Sequence, residues 1–194
     1  MRKLRIGCVV MAAGNARRYG ENKLAAVVDG KTLIQRALDA VPVEQFDRVV
    51  VVTQYPEIAA LAGNYGFDTV ENQHPDWGIS HTISLGLEAL SDMDGILFQV
   101  SDQPFLHRRS IADLVRCFRQ HPHTIVALGH NGVRGNPCLF PRRFFSELRE
   151  LREDHGGNSV IRRHEDELLL YEVPASQLTD VDTPEALHDL EDGN

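Results

Sequence analysis

The sequence predicts a single α/β domain of three layers with a mostly parallel central sheet. Two observations lead there. Runs such as GILFQV and DRVVVVT are almost continuously apolar, as strands buried on both faces are. Between them lie segments with apolar residues at helical spacing, such as KTLIQRALDAV and SIADLVRCFRQ, and the two kinds alternate along the chain. Length agrees: 194 residues suffice for one well-buried core, and no repeat, low-complexity stretch or linker divides them. Residues 1–194 are therefore read as one domain.

In order, LRIGCVVMA is the first strand and KTLIQRALDAV the first helix. DRVVVVT is a strand, followed by a helix from Pro56 to Asn64 and a short strand, FDTVEN. ISLGLEAL, within residues 79–90, is helical; GILFQV is a buried strand with SIADLVRCFRQ behind it. TIVAL, PCLF and ELLLYEV supply later strands, and residues 162–172 read as a strand with a solvated edge. TPEALHDL closes the chain as a helix capped by Thr183 with Pro184 at its first position. Ligands of such a sheet bind outside the carboxyl ends of its strands. That selects the loops at 12–23, 53–56, 72–80 and 101–107, with 130–136 and 176–182 in reach to close over them.

Composition excludes several classes. A formal charge of −8 is unlike a general nucleic-acid binder, which carries a basic face. No stretch approaches a membrane span. The opening MRKLRIGCVVMAAG is basic then apolar, but its apolar run is too short for a signal peptide and passes directly into charged residues. A cytoplasmic protein is expected. Cys8, Cys117 and Cys138 form no C-x-x-C pair and read as free thiols, which suits a reducing compartment. The nine histidines do not suggest a metal centre: His121 and His123 flank Pro122 with no carboxylate or cysteine at ligand spacing, and the others are scattered. Trp77 is open to a pocket-lining, lid or core role.

The loop GNARRYGENK follows the first strand. Gly14 and Gly20 are separated by five residues, which is not G-x-G-x-x-G, and Glu21 and Asn22 before Lys23 break the P-loop pattern. What remains is small residues that let backbone N–H groups approach an anion, with Arg18 and Lys23 supplying charge. Arginine forks suit bridging phosphate oxygens and lysine suits one concentrated charge. VSDQPFL supplies the partner: Asp102, at a strand's carboxyl end before a proline, is placed to hold a divalent metal. A solvated cationic loop and a turn aspartate are the plainer readings of each motif taken alone.

Together the motifs are specific. Ala12, Ala13, Gly14, Arg18, Gly20 and Lys23, as A-A-G-x-x-x-R-x-G-x-x-K, resemble the signature of nucleotidyltransferases with a glycosyltransferase-A-like fold, and D-Q-P at 102–104 resembles their molybdenum cofactor branch. WGISHTISLGL, RGNPCLF and LTDVDTPEAL are similar to further motifs of that branch, in the same order. The resemblance implies a Rossmann-like sheet of the nucleotide-diphospho-sugar transferase type and transfer of a nucleotide to molybdopterin with release of pyrophosphate. Ala13, giving A-A-G where guanylyltransferases have A-G-G, is similar to the cytidylyltransferases and favours CTP over GTP.

The same resemblance implies roles. Arg18 would hold the β- and γ-phosphates, Lys23 the α-phosphate, and Asp102 a Mg²⁺ ion. Asp182 is a second metal ligand or a helix cap; Ser80 and Thr82 bond the nucleotide or cap a helix. Ala12, Ala13, Gly14 and Gly20 lie against the nucleotide, with backbone groups of Ala12 and Ala13 at the base edge. The expected partners are the triphosphate, molybdopterin and a client molybdoenzyme, with neither nucleic acid nor membrane. The sequence departs from the family at Ala16, Tyr19, His81 and Thr82, and Asn136 stands where the acceptor-side motif has His. Alternatives are a GTP-using enzyme, a transferase acting on another phosphorylated acceptor such as a sugar phosphate, and a non-catalytic nucleotide-binding accessory protein.

Overall fold

A computed structural model describes residues 3–15, 22–183, 185–186 and 188–189. In chain order the elements are β1 (Ile6–Ala12), β2 (Val27–Val28), β3 (Lys31–Thr32), α1 (Leu33–Asp39), β4 (Arg48–Thr53), α2 (Pro56–Asn64), β5 (Asp68–Glu71) and α3 (Ile79–Ala89). They continue with β6 (Gly95–Val100), α4 (Arg108–Gln120), β7 (Ile125–His130), β8 (Val133–Pro141), α5 (Phe145–Arg149), α6 (Asn158–Arg163) and β9 (Leu168–Glu172). Seven strands make one sheet in the order β5-β4-β1-β6-β8-β7-β9. β8 runs antiparallel to both its neighbours, and the other pairings are parallel. β2 and β3 form a separate small ribbon.

Alternation along β1 explains the layers, because successive side chains leave a strand on opposite faces. Ile6, Cys8, Val10 and Ala12 join Leu33 and Leu38 of α1, Ile58 of α2 and Leu114 and Phe118 of α4 in one core. Val9 faces the other way, against Ile83 and Leu87 of α3, Leu148 of α5 and Ile161 of α6. The helices begin where local chemistry allows. A capping box starts α1, in which the Thr32 side chain accepts from the Gln35 amide and the Gln35 side chain accepts from the Thr32 amide. Pro56 occupies the first turn of α2, where its missing N–H costs nothing.

The close approach of α3 to the sheet depends on Gly86. A Cβ there would lie 2.7 Å from Cγ2 and 2.8 Å from Cγ1 of Val9. Gly86→Ala is therefore expected to lower stability by about 1–3 kcal/mol, as overpacking does, read from the urea midpoint. Val9→Ala in the same chain should restore part of the loss.

Several elements differ from the sequence reading. α5, α6 and the β2–β3 ribbon were not expected, and Arg162 and Arg163 end α6 rather than begin a strand, which starts only at Leu168. PCLF is the end of a longer strand, β8, that turns back from β7 through Asn131 and Gly132, both at positive φ. The cysteines agree with the sequence reading: Cys8 and Cys138 are buried free thiols, and Cys117 is a half-buried one. No helix among the described residues is long and apolar enough to cross a membrane.

Candidate active site

The sheet reverses its order at β1. The chain places β4 and β5 on one side of it and β6 on the other, so a crevice opens beyond the carboxyl ends of β1 and β6. The backbone leaving β1 is held there by four side chains. Ser101 Oγ donates to the Met11 carbonyl at 2.8 Å, Thr53 Oγ1 to Ala12 at 2.8 Å, Gln54 Nε2 to Ala13 at 2.8 Å and Tyr55 Oη to Gly14 at 3.0 Å. In a trans peptide the N–H points opposite to the C=O. Anchoring these carbonyls thus turns the amides of Ala13, Gly14 and Asn15 the other way, where they donate to no backbone acceptor among the described residues. Such a row of amides suits an anion.

Lys23, at the start of a short 3-10 turn capped by Asn22, reaches into the same crevice. Its Nζ donates to Asp102 Oδ2 at 2.9 Å, to the Val181 carbonyl at 3.2 Å and to Asp182 Oδ1 at 3.5 Å. Burial alone would lower the ammonium's pKa, but Asp102 and then Asp182 outweigh it and hold Lys23 above its usual value. The C-terminal segment is fixed here by the Val181 amide, which donates to the Asp102 carbonyl at 2.8 Å. The helix cap is made by Thr183, whose hydroxyl accepts from the Ala186 amide at 3.1 Å; the Asp182 carboxylate faces Lys23. Partial desolvation, with the carboxylates of Asp102 and Asp182 nearby, pushes the Asp180 carboxyl up to about 6.

A cavity of about 440 Å³ occupies the crevice, lined by Ala13, Gly14, Lys23, Thr82, Asp102 and Asp182 among others. Ala12, at the end of β1, is buried and does not line it. A second cavity of about 370 Å³ adjoins it and contains Asn136. Ser80 is buried at the start of α3, its amide donating to the Glu153 carbonyl at 3.1 Å, and it lines neither cavity. Arg18 and Gly20 lie outside the described residues, as do Ala16, Tyr19 and Pro184. Trp77 is 54% exposed and stacks on His74 at 4.0 Å, beside the cavity wall rather than in the core. Burial and the neighbouring His74 lower the His81 pKa.

Sequence reasoning selected the loops at 53–56 and 101–107 but not the side chains in them that anchor the β1 loop. Thr53, Gln54, Tyr55 and Ser101 act on backbone carbonyls 41 to 90 residues away, which leaves no local pattern to read. Asp76 and Asp154, also in the first cavity wall, were not singled out either. With them the described lining holds four aspartates, Asp76, Asp102, Asp154 and Asp182, against one cation, Lys23. Among the described residues no group of three or more His, Cys, Asp or Glu is arranged to hold a metal ion.

Comparison with known proteins gives a consistent picture. The MobA-like NTP transferase domain matches residues 8–168. Purine catabolism protein PucB of Bacillus subtilis (strain 168) is 26% identical over 190 residues, covering 91% of this chain and 91% of PucB. A 3-deoxy-manno-octulosonate cytidylyltransferase of Christiangramia forsetii is 32% identical over 119 residues, 61% of this chain and 47% of that enzyme. Among solved structures, Rv0371c from Mycobacterium tuberculosis H37Rv superposes with a TM-score of 0.77 at 25% identity, covering 97% of this chain and 98% of that one. The same mycobacterial protein in complex with manganese matches with a TM-score of 0.71 at 24% identity, covering 98% and 100%.

Proposed function

We propose that this chain, which belongs to the MobA-like NTP transferase family and is a nucleotidyltransferase, transfers CMP from CTP to molybdopterin and releases pyrophosphate. The observation that carries the reading is the Lys23, Asp102 and Asp182 cluster facing the anchored loop 12–15 across the crevice of the sheet.

A terminal phosphate oxygen of the acceptor attacks the α-phosphorus. A new P–O bond forms as the bond to the pyrophosphate oxygen breaks, and the electron pair leaves with pyrophosphate. The nucleophile is already anionic, so no general base is required. The protein positions two anions and neutralises the charge between them. The amides of residues 13–15 would receive phosphate oxygens, and Lys23 would turn from Asp102 to the α-phosphate as negative charge gathers there. Arg18 is assigned the β- and γ-phosphates by its place in the motif.

The donor set at Asp102 and Asp182 fits a hard divalent cation. Two carboxylate oxygens and the Val181 carbonyl already surround one positive atom, Lys23 Nζ. Magnesium binds through one or two carboxylates and takes phosphate and water for the rest, so two protein carboxylates suffice. A lining with four aspartates would otherwise repel a triphosphate. When bound, Mg²⁺ supplies the charge neutralisation that lets pyrophosphate leave. The manganese in the mycobacterial relative supports a divalent ion.

The second cavity suits the acceptor. Its lining includes Phe98, Phe140 and Ile79, apolar surface suited to a flat ring, together with the polar Arg134, Asn136 and Arg162. Asn136 in place of His favours a second reading, the same transfer to a different phosphorylated acceptor. Pyrophosphate release is measured with Mg²⁺ and molybdenum-loaded molybdopterin while CTP, GTP, ATP and UTP are offered in turn. CTP-selective release is expected. Tight CTP binding without release would replace the acceptor, and preferential release from GTP would overturn the cytidylyl assignment.

A further inference from the structure

We infer that Asn72 is a positioning residue for nucleotide recognition, which turns the Thr82 hydroxyl into a fixed hydrogen-bond donor aimed at an oxygen of the bound nucleoside. The inference rests on the nucleotide reading of the first cavity, in which Thr82 bonds the nucleotide, and adds to it the residue that sets the polarity of that contact.

Asn72 follows β5 and is 2% exposed; Thr82, in the first turns of α3, is 5% exposed and lines the cavity. The orientation of the Asn72 amide follows from its neighbours. The His74 backbone N–H can only donate, and it lies 2.9 Å from Asn72 Oδ1. That fixes the oxygen on the His74 side and leaves Nδ2, a pure donor, facing Thr82 Oγ1 at 3.1 Å. The Thr82 oxygen is therefore an acceptor toward Asn72, and its own proton must go elsewhere. A helical threonine usually returns that proton to the carbonyl one turn back. Thr82 makes no such bond, and its hydroxyl hydrogen has no acceptor among the described residues.

A nearly buried hydroxyl with an unspent proton at a cavity wall is complementary to an acceptor atom on the ligand and mismatched to a donor. Within the nucleoside of CTP the uncharged acceptor oxygens are those of the ribose hydroxyls, the ribose ring and the base carbonyl. The bond from His74 N–H to Asn72 also fixes the start of the 74–78 segment, which supplies Pro75, Asp76 and Gly78 to the same wall. One amide thus sets both the hydroxyl's direction and the wall beside it.

The test is a set of equilibrium binding titrations with Mg²⁺ and CTP, followed by 2′-deoxy-CTP. Asn72→Asp keeps the shape and the acceptor for His74 but presents Thr82 with a second acceptor, which captures its proton. Thr82→Val removes the hydroxyl and Thr82→Ser retains it. Asn72→Asp and Thr82→Val are each expected to weaken CTP binding about tenfold, with Thr82→Ser near wild type. The double variant, Asn72→Asp with Thr82→Val, should be no weaker than Thr82→Val alone. If the Thr82→Val loss disappears with 2′-deoxy-CTP, the contact is to the ribose 2′-hydroxyl; if it persists, to another ribose oxygen or the base.

Equal, additive losses in the double variant would mean that the new carboxylate acts on the triphosphate by charge alone, which overturns the inference. Wild-type binding by Asn72→Asp or Thr82→Val would do the same. The preferred triphosphate belongs to the proposed function, so the series is run with whichever of the four binds. A wild-type protein that binds none of them overturns both readings.

Discussion

Asp102→Asn abolishes turnover, by about 10³-fold or more, while the protein remains folded. A loss of that size is about 4 kcal/mol of transition-state stabilisation, within the reach of a metal ligand beside a developing charge. The replacement is isosteric and preserves a hydrogen-bond acceptor for Lys23, so packing around β6 is undisturbed. What it removes is the negative charge that balances Lys23 and would bind the cation. Lys23→Ala is expected to give a similar kinetic loss from the opposite side, since no other described cation lines the crevice. Circular dichroism establishes the fold and pyrophosphate release the rate. Turnover within tenfold of wild type in either variant would remove these residues from the chemistry.

The second large effect comes from a residue that bears no side chain. Gly78 precedes α3 with φ 85° and ψ −178°, a conformation that L side chains avoid. A Cβ there would fall 2.3 Å from both the carbonyl carbon and oxygen of Glu153 and 2.8 Å from the Asp154 amide. All three are backbone atoms and cannot rotate aside. Gly78→Ala should therefore cost about 3 kcal/mol or more from strain and overlap combined. For a chain of this size the melting temperature should fall by roughly 10 °C. The damage also reaches function, because the segment pushed away supplies Asp154 and the 155–159 rim of the second cavity. Acceptor affinity is expected to fall with stability, whereas Gly63→Ala, in open space on α2, should change neither. A Gly78→Ala protein with unchanged melting would contradict the packing described.

Much of the fold was legible because buried parallel strands advertise themselves. GILFQV and the helix at Pro56–Asn64 appear with the boundaries the sequence predicts, since apolar runs and a proline at a first turn are local signals. α5 and α6 were missed because they are five and six residues long, too short to display a helical period. The antiparallel return of β8 did carry a signal, the Asn131–Gly132 dipeptide between two apolar runs, which is the chemistry of a tight hairpin. At the site, Lys23, Asp102 and Asp182 come together as the motifs implied, whereas the side chains that tie down the β1 loop were invisible. Their partners are backbone carbonyls, and a carbonyl has no letter in a sequence.

The two cavities share a wall: Met11, Ile79, Val100 and Asp154 face both. On the proposed assignment of nucleotide and acceptor to these cavities, the two choices are not separable modules. A substitution in the shared wall alters both selectivities at once, so drift there is penalised twice. Either preference can change alone only through side chains that see one compartment, such as Thr82 and Asp76 on one side or Arg134, Asn136 and Arg162 on the other. Diversification of such a scaffold toward new acceptors is thereby channelled into a few positions of β8 and α6, with the partition held constant.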